Sequence, residues 1–129
     1  MTSSRHNPRY WLERKARRKT GYPLATLAYY GPDNTRASKA VVGIVVSEQA
    51  ANEAVLQKWH SDTTDVRTDP AIIQQILAYL DQQQVQRVVM VDRIIGCPHE
   101  EGIDYPEGEA CPQCPYWANR DRWTGEQLA

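Results

Sequence analysis

Apolar and polar positions alternate along this chain in a way that predicts five elements. The first is a strand over Leu24–Tyr30, read from Leu-Ala-Thr-Leu-Ala-Tyr-Tyr and closed by the turn signal Gly31-Pro32-Asp33-Asn34. A second strand follows over 39–46, Lys-Ala-Val-Val-Gly-Ile-Val-Val, whose nearly unbroken apolarity predicts burial on both faces. The two are expected to pair as an antiparallel hairpin around an eight-residue loop, with Gly43 marking a bulge or a close approach inside the second strand. Ser47 reads as the N-cap of a helix over 48–60, with Ala51, Ala54, Val55 and Trp59 on one face and His60 at its carbonyl end. A polar linker leads to Asp69-Pro70, an N-cap followed by proline at the first helical position. Ile72, Ile73, Ile76, Leu77 and Leu80 then recur at helical spacing, and this stripe is core. Within 85–95 a buried strand centred on Val88, Val89, Met90 and Val91 is expected to return parallel to an earlier strand through a right-handed crossover.

The expected fold class is therefore α/β (α+β): a small mixed three-stranded sheet in the order β-β-α-α-β, followed by a C-terminal metal-binding loop. At 129 residues and 41% apolar content the chain has enough side chains for one core and too few for two. It divides into a basic arm over 1–20, disordered or helical in part, an α/β core over 21–96, and a knuckle with an aromatic tail over 97–129 that folds together with the core. No apolar run approaches the roughly 20 residues of a membrane span. The start of the chain has neither the apolar core of a secretory signal nor the pattern of a transit peptide, so the expected compartment is the cytoplasm.

Charge changes the picture. Residues 1–20 carry seven basic groups against Glu13 alone, a net of +6, while the remainder carries eight basic and fifteen acidic groups, a net of −7. A basic arm on an acidic body points to an anionic partner, nucleic acid first, with a solvated tail or an arm folded onto its own body as the bland alternative. Arg9, Tyr10, Trp11, Arg14, Lys15, Arg17, Arg18 and Lys19 are the candidate contacts, since aromatic rings interleaved with Arg stack on bases. The tail residues Trp117, Arg120, Arg122 and Trp123 offer a second candidate surface for stacking or for a protein partner, unless the tryptophans close over the metal loop as a lid.

The chemistry concentrates between Gly96 and Pro115. All three cysteines, Cys97, Cys111 and Cys114, fall there with His99, spaced as Cys-x-His, eleven residues, Cys-x-x-Cys. Two chelating pairs joined by a loop that folds back supply four ligands for a tetrahedral Zn²⁺. Gly102, Pro106 and Gly108 permit the turns which that loop needs. An iron–sulfur cluster, free thiols or a disulfide with one odd cysteine are the alternatives, and Cys-x-His spacing favours zinc.

The half Cys111-Pro112-Gln113-Cys114 resembles the knuckle of zinc ribbons and rubredoxin-like sites, while Cys97-Pro98-His99 departs from their repeated Cys-x-x-Cys. The longer stretch from Asp92 to Pro112 resembles small bacterial proteins to which no activity is assigned, which implies a real domain type and adds no activity. The order His99-Glu100-Glu101 then Cys111-Pro112-Gln113-Cys114 also resembles the zinc-dependent nucleobase deaminases, an enzyme reading in which Glu101 would be the acid/base and the fourth position would hold water. Ala110 stands where that family has proline, and Cys97 would close the open position. The leading expectation is thus a structural zinc site in a binding or adaptor module. It contacts nucleic acid through the arm, with a protein-interaction module as the alternative and a deaminase-like hydrolase behind both.

Overall fold

The computed structural model describes residues 21–50 and 54–120. Among them, four strands, β1 (Leu24–Tyr30), β2 (Lys39–Val45), β3 (Val55–His60) and β4 (Arg87–Ile94), form one mixed sheet in the order β3-β2-β1-β4. Strands β1 (Leu24–Tyr30) and β2 (Lys39–Val45) are the expected antiparallel hairpin, in continuous register from Leu24↔Val45 to Tyr30↔Lys39. Helix α1 (Pro70–Gln82) follows, and β4 (Arg87–Ile94) returns parallel to β1. The α1 start is built as the sequence implies: the Asp69 carboxylate accepts from the Ala71 and Ile72 amides at 3.0 and 3.3 Å. A hydrogen bond from the Thr64 hydroxyl, then these two amides, holds the Asp69 carboxyl below its usual range.

One expected element is replaced. The stretch read as a helix over 48–60 is a single 3-10 turn at Glu48–Ala50 and then a strand, β3 (Val55–His60), paired antiparallel with β2. The sheet is thus four-stranded and the element order is β-β-β-α-β. The difference has a physical cause. Val55 and Trp59 lie four residues apart, a spacing that shares a face on a helix and on a strand alike, and the outer edge of β2 offers a row of unpaired backbone groups that only a strand satisfies. Trp59 still packs against the core, edge-on to Tyr79 of α1 with ring centroids 5.7 Å apart.

Pleating assigns the two faces of the sheet. Ala25, Leu27 and Tyr29 of β1, Ala40, Val42 and Ile44 of β2, and Val88 of β4 are buried in one cluster with Ile72, Ile73, Ile76 and Leu80 of α1. The opposite face presents Tyr30, Lys39, Val41, Leu56 and Lys58, which line a groove there. Gly43 sits on that second face, and the register of β2 runs through it on both sides without a bulge. A Cβ at Gly43 would lie 2.8 Å from Thr26 Oγ1 and 3.2 Å from the Leu56 methyl, so close approach by neighbouring side chains is the reason for glycine. The register shift occurs in β4 instead, between the partners of Leu27 and Tyr29.

Beyond β4 the chain keeps alongside β1, with Ile95 N donating to Tyr29 O at 2.9 Å and Gly31 N to Gly96 O at 2.9 Å. This zipping fixes Gly96, and hence Cys97, at the carboxyl end of the two parallel strands, a common position for a functional loop in sheets of this kind.

Candidate metal centre

The cluster is assembled from two tight turns. In the first, His99 N donates to Cys97 Sγ at 3.2 Å, so the Cys-x-His step folds its own ligands together. In the second, Cys114 N donates to Cys111 O at 3.3 Å, and Trp117 N then donates to Cys114 O at 3.1 Å, leading into the 3-10 turn Pro115–Trp117. The loop between them folds back as its glycines allow. Gly102 and Gly108 take φ of +83° and +85°, where a side chain would be strained. Glu100 N donates to an Asp104 carboxylate oxygen at 2.7 Å, Gly102 N to Tyr105 O at 2.7 Å, and Gly108 N to Glu101 Oε2 at 2.7 Å.

The result brings together all four residues that the spacing selected. One donor atom each from Cys97, His99, Cys111 and Cys114 lies within 4.8 Å of the others. His99 Nδ1 is 3.2, 3.4 and 3.5 Å from the sulfurs of Cys97, Cys111 and Cys114. Tetrahedral bonds of about 2.3 Å to sulfur and 2.0–2.1 Å to nitrogen place such atoms roughly 3.5 Å apart, so this donor set fits a single four-coordinate ion such as zinc with His99 bound through Nδ1. Cys111 and Cys114 are buried, whereas Cys97 and His99 are half-buried and form the open side.

Burial dominates the electrostatics of the thiols. Burial pushes the Cys97 thiol up, against a lowering by the His99 amide. Burial also pushes the Cys114 thiol far up, reinforced by Cys97 and Cys111. Three sulfurs packed this closely are held as thiolates only by a cation among them, which is what a metal supplies. No family model, curated protein or solved structure matches the chain. The reading of the centre therefore rests on its own residues.

Around the cluster, two lysines of the sheet reach the Cys-x-His turn. Lys39 Nζ donates to Pro98 O at 2.9 Å, and Lys58 Nζ pairs with Glu100 Oε1 at 2.9 Å. That pair, then the charge of Lys39, holds the Glu100 carboxyl low. Together with Tyr30, Gly96 and Tyr105 these side chains border a groove of about 270 Å³ against Cys97 and His99. Neither lysine is legible as part of the site from sequence. The available signal is the charge that opens an otherwise apolar strand at Lys39, on the same face as Val41.

Other candidates are placed differently. Trp117 is half-buried, packs against the core and donates from Nε1 to Gly31 O at 2.8 Å, so its indole closes the knuckle onto the hairpin. Arg120 stacks over the Tyr116 ring, 4.2 Å from its centroid. Glu101 borders the groove with its carboxylate engaged by Gly108 N. His60 is exposed and is not one of the four clustered residues. The arm residues Arg9, Tyr10, Trp11, Arg14, Lys15, Arg17, Arg18 and Lys19, and Arg122 and Trp123 of the tail, lie outside the described residues. No helix among the described residues is long and apolar enough to cross a membrane.

Proposed function

We propose that this protein is a small zinc-binding adaptor module, its metal structural, that contacts nucleic acid through the basic arm over 1–20. The observation that carries the structural role is the donor count: Cys97, His99, Cys111 and Cys114 supply four protein ligands, which is the closed arrangement of sites that hold folds together. A hydrolytic metal needs one position left for water, and here Cys97 takes it. Glu101, the acid/base of the enzyme reading, is tied to the loop amide of Gly108.

For the partner, charge is the support. The arm concentrates a net of +6, while Glu100, Glu101, Asp104, Glu107 and Glu109 give the knuckle a negative field that repels phosphates. Nucleic acid contact therefore falls to the arm and not to the metal face. The aromatic content of the tail favours a protein partner as the second reading, with the Tyr116–Arg120 stack as its described part.

The two separate by salt. Fluorescence anisotropy of a labelled single-stranded oligonucleotide with the full chain is expected to show binding at low ionic strength that falls with a log–log slope of about −0.7 per phosphate neutralised. Replacing Arg14, Lys15, Arg17, Arg18 and Lys19 together by glutamine is expected to flatten that slope and weaken binding by at least tenfold, with melting unchanged. Absence of binding in dilute buffer, or binding indifferent to these substitutions, would remove nucleic acid from the proposal and leave the protein-interaction reading.

A further inference from the structure

We propose that Lys39 is the charge partner of the metal centre, a buried ammonium that offsets the negative charge of the loaded cluster and thereby sets how firmly the ion is held. This rests on the metal reading above and names the residue that tunes it. Three thiolates, a neutral imidazole and one divalent ion leave a single negative charge, which a low-dielectric site tolerates poorly without a cation nearby.

Lys39 is placed to be that cation. It is 5% exposed, the one buried charged side chain among the described residues. Its Nζ donates to the carbonyl of Pro98, the residue between the ligands Cys97 and His99. Its Nζ also lies 5.8 Å from the centroid of the Tyr30 ring. Among the described residues no carboxylate lies within ion-pair distance of it; the charges of Glu100, which is paired with Lys58, and of Asp104 act on it from further away. A buried ammonium with no carboxylate in contact is only partly offset by Glu100 and Asp104 further away, so the anionic cluster and the ammonium stabilise each other. Lys58 is the natural control: it approaches the same turn from the neighbouring strand, but it is a third exposed and its charge is spent on Glu100.

The test uses the zinc-loaded full chain and its Lys39→Met, Lys39→Gln, Lys39→Arg and Lys58→Met variants, with metal release followed by transfer to a chromophoric chelator. Lys39→Met and Lys39→Gln are expected to release zinc about 10–100-fold faster, as for other outer-shell partners of metal ligands, while Lys39→Arg and Lys58→Met stay near the parent rate. In the cobalt-substituted chains, the sulfur-to-cobalt charge-transfer band is expected at longer wavelength in Lys39→Met and Lys39→Gln. The reason is that thiolates relieved of a nearby cation give up electron density more readily. A purely mechanical strut would leave that band in place.

Parent-like release and an unshifted band in Lys39→Gln would overturn the proposal, as would a Lys39→Arg variant as leaky as Lys39→Gln. Should Lys39→Met fail to fold, the Gln and Arg pair decides. A parent chain that binds no metal would instead defeat the reading of the centre, and this proposal with it, before any variant is compared.

Discussion

Replacing Cys114 by serine is expected to abolish metal binding and to melt the knuckle together with the contacts it makes to the sheet. Cys114 is 2% exposed, its sulfur lies 3.5 Å from His99 Nδ1, and its backbone accepts from Trp117 N, the residue whose indole reaches Gly31. Loss of this ligand therefore removes the ion and loosens the seam between knuckle and hairpin at once. Structural zinc contributes on the order of 10–16 kcal/mol in finger peptides, against a net stability of about 5–15 kcal/mol for a whole domain. The variant, or the parent chain treated with a strong chelator, should accordingly lose most of its cooperative thermal transition, read by near-ultraviolet circular dichroism of the tryptophans. The pH dependence has a definite sign. In the metal-free chain burial pushes the Cys97 and Cys114 thiols above the ordinary thiol range, so both carry protons at neutral pH that the metal must displace. Apparent affinity then falls as pH falls, by up to about two powers of ten per unit for these two thiols, and metal-dependent stability is lost on the acid side. A Cys114→Ser chain that keeps zinc and its melting point would contradict this account.

Gly31→Ala should be the most damaging single-methyl change in the hairpin. A Cβ at Gly31 would fall on the Arg36 carbonyl oxygen, far inside van der Waals contact, with the Asp33 carbonyl oxygen 3.2 Å away. Both obstacles are backbone, so no rotamer change relieves the clash, and the turn over 31–38 has to move. That turn is tied on three sides: Gly31 N donates to Gly96 O, Gly31 O accepts from Trp117 Nε1, and Ser38 N donates to Tyr30 O. Its displacement drags the first turn of the metal site with it. A cost of about 3 kcal/mol or more is expected, at the upper end of overpacking penalties, with a melting point lower by roughly 10 °C or more and faster zinc release. Gly96→Ala is the matched control. The nearest atom to its added methyl is Tyr30 Cδ1 at 3.7 Å, an ordinary contact, and it should leave both readouts close to the parent. Equal behaviour of the two alanine variants would show that the Gly31 approach is not what fixes the turn.

The four clustered residues of the candidate metal centre were legible because the chemistry that selects them is local. Cys97, His99, Cys111 and Cys114 all fall within one loop, and Cys-x-His and Cys-x-x-Cys each close a small ring whatever the rest of the chain does. Asp69-Pro70 and the isoleucine stripe of α1 were legible for the same reason, since capping and helical periodicity are short-range. The stretch 48–60 was not, because Val55 and Trp59 satisfy both periodicities and the choice is made by a distant element, the open edge of β2. Lys39 illustrates the other limit. A lysine at a strand start reads as solvated, and only the return of β4 and the Pro98 carbonyl bury it against the Cys-Pro-His turn. Trp117 likewise finds its partner, the Gly31 carbonyl, across the whole length of the core.

The central claim, a single tetrahedral metal held by Cys97, His99, Cys111 and Cys114, is tested most directly by elemental analysis of the purified full chain beside its Cys97→Ser and Cys111→Ser variants. One zinc per chain in the parent, and loss of both zinc and cooperative melting in each variant, is the predicted result. A parent chain without metal would contradict the claim outright. Zinc retained at full occupancy in Cys97→Ser would leave three protein ligands with an open position, and would return Glu101 and hydrolytic chemistry to consideration.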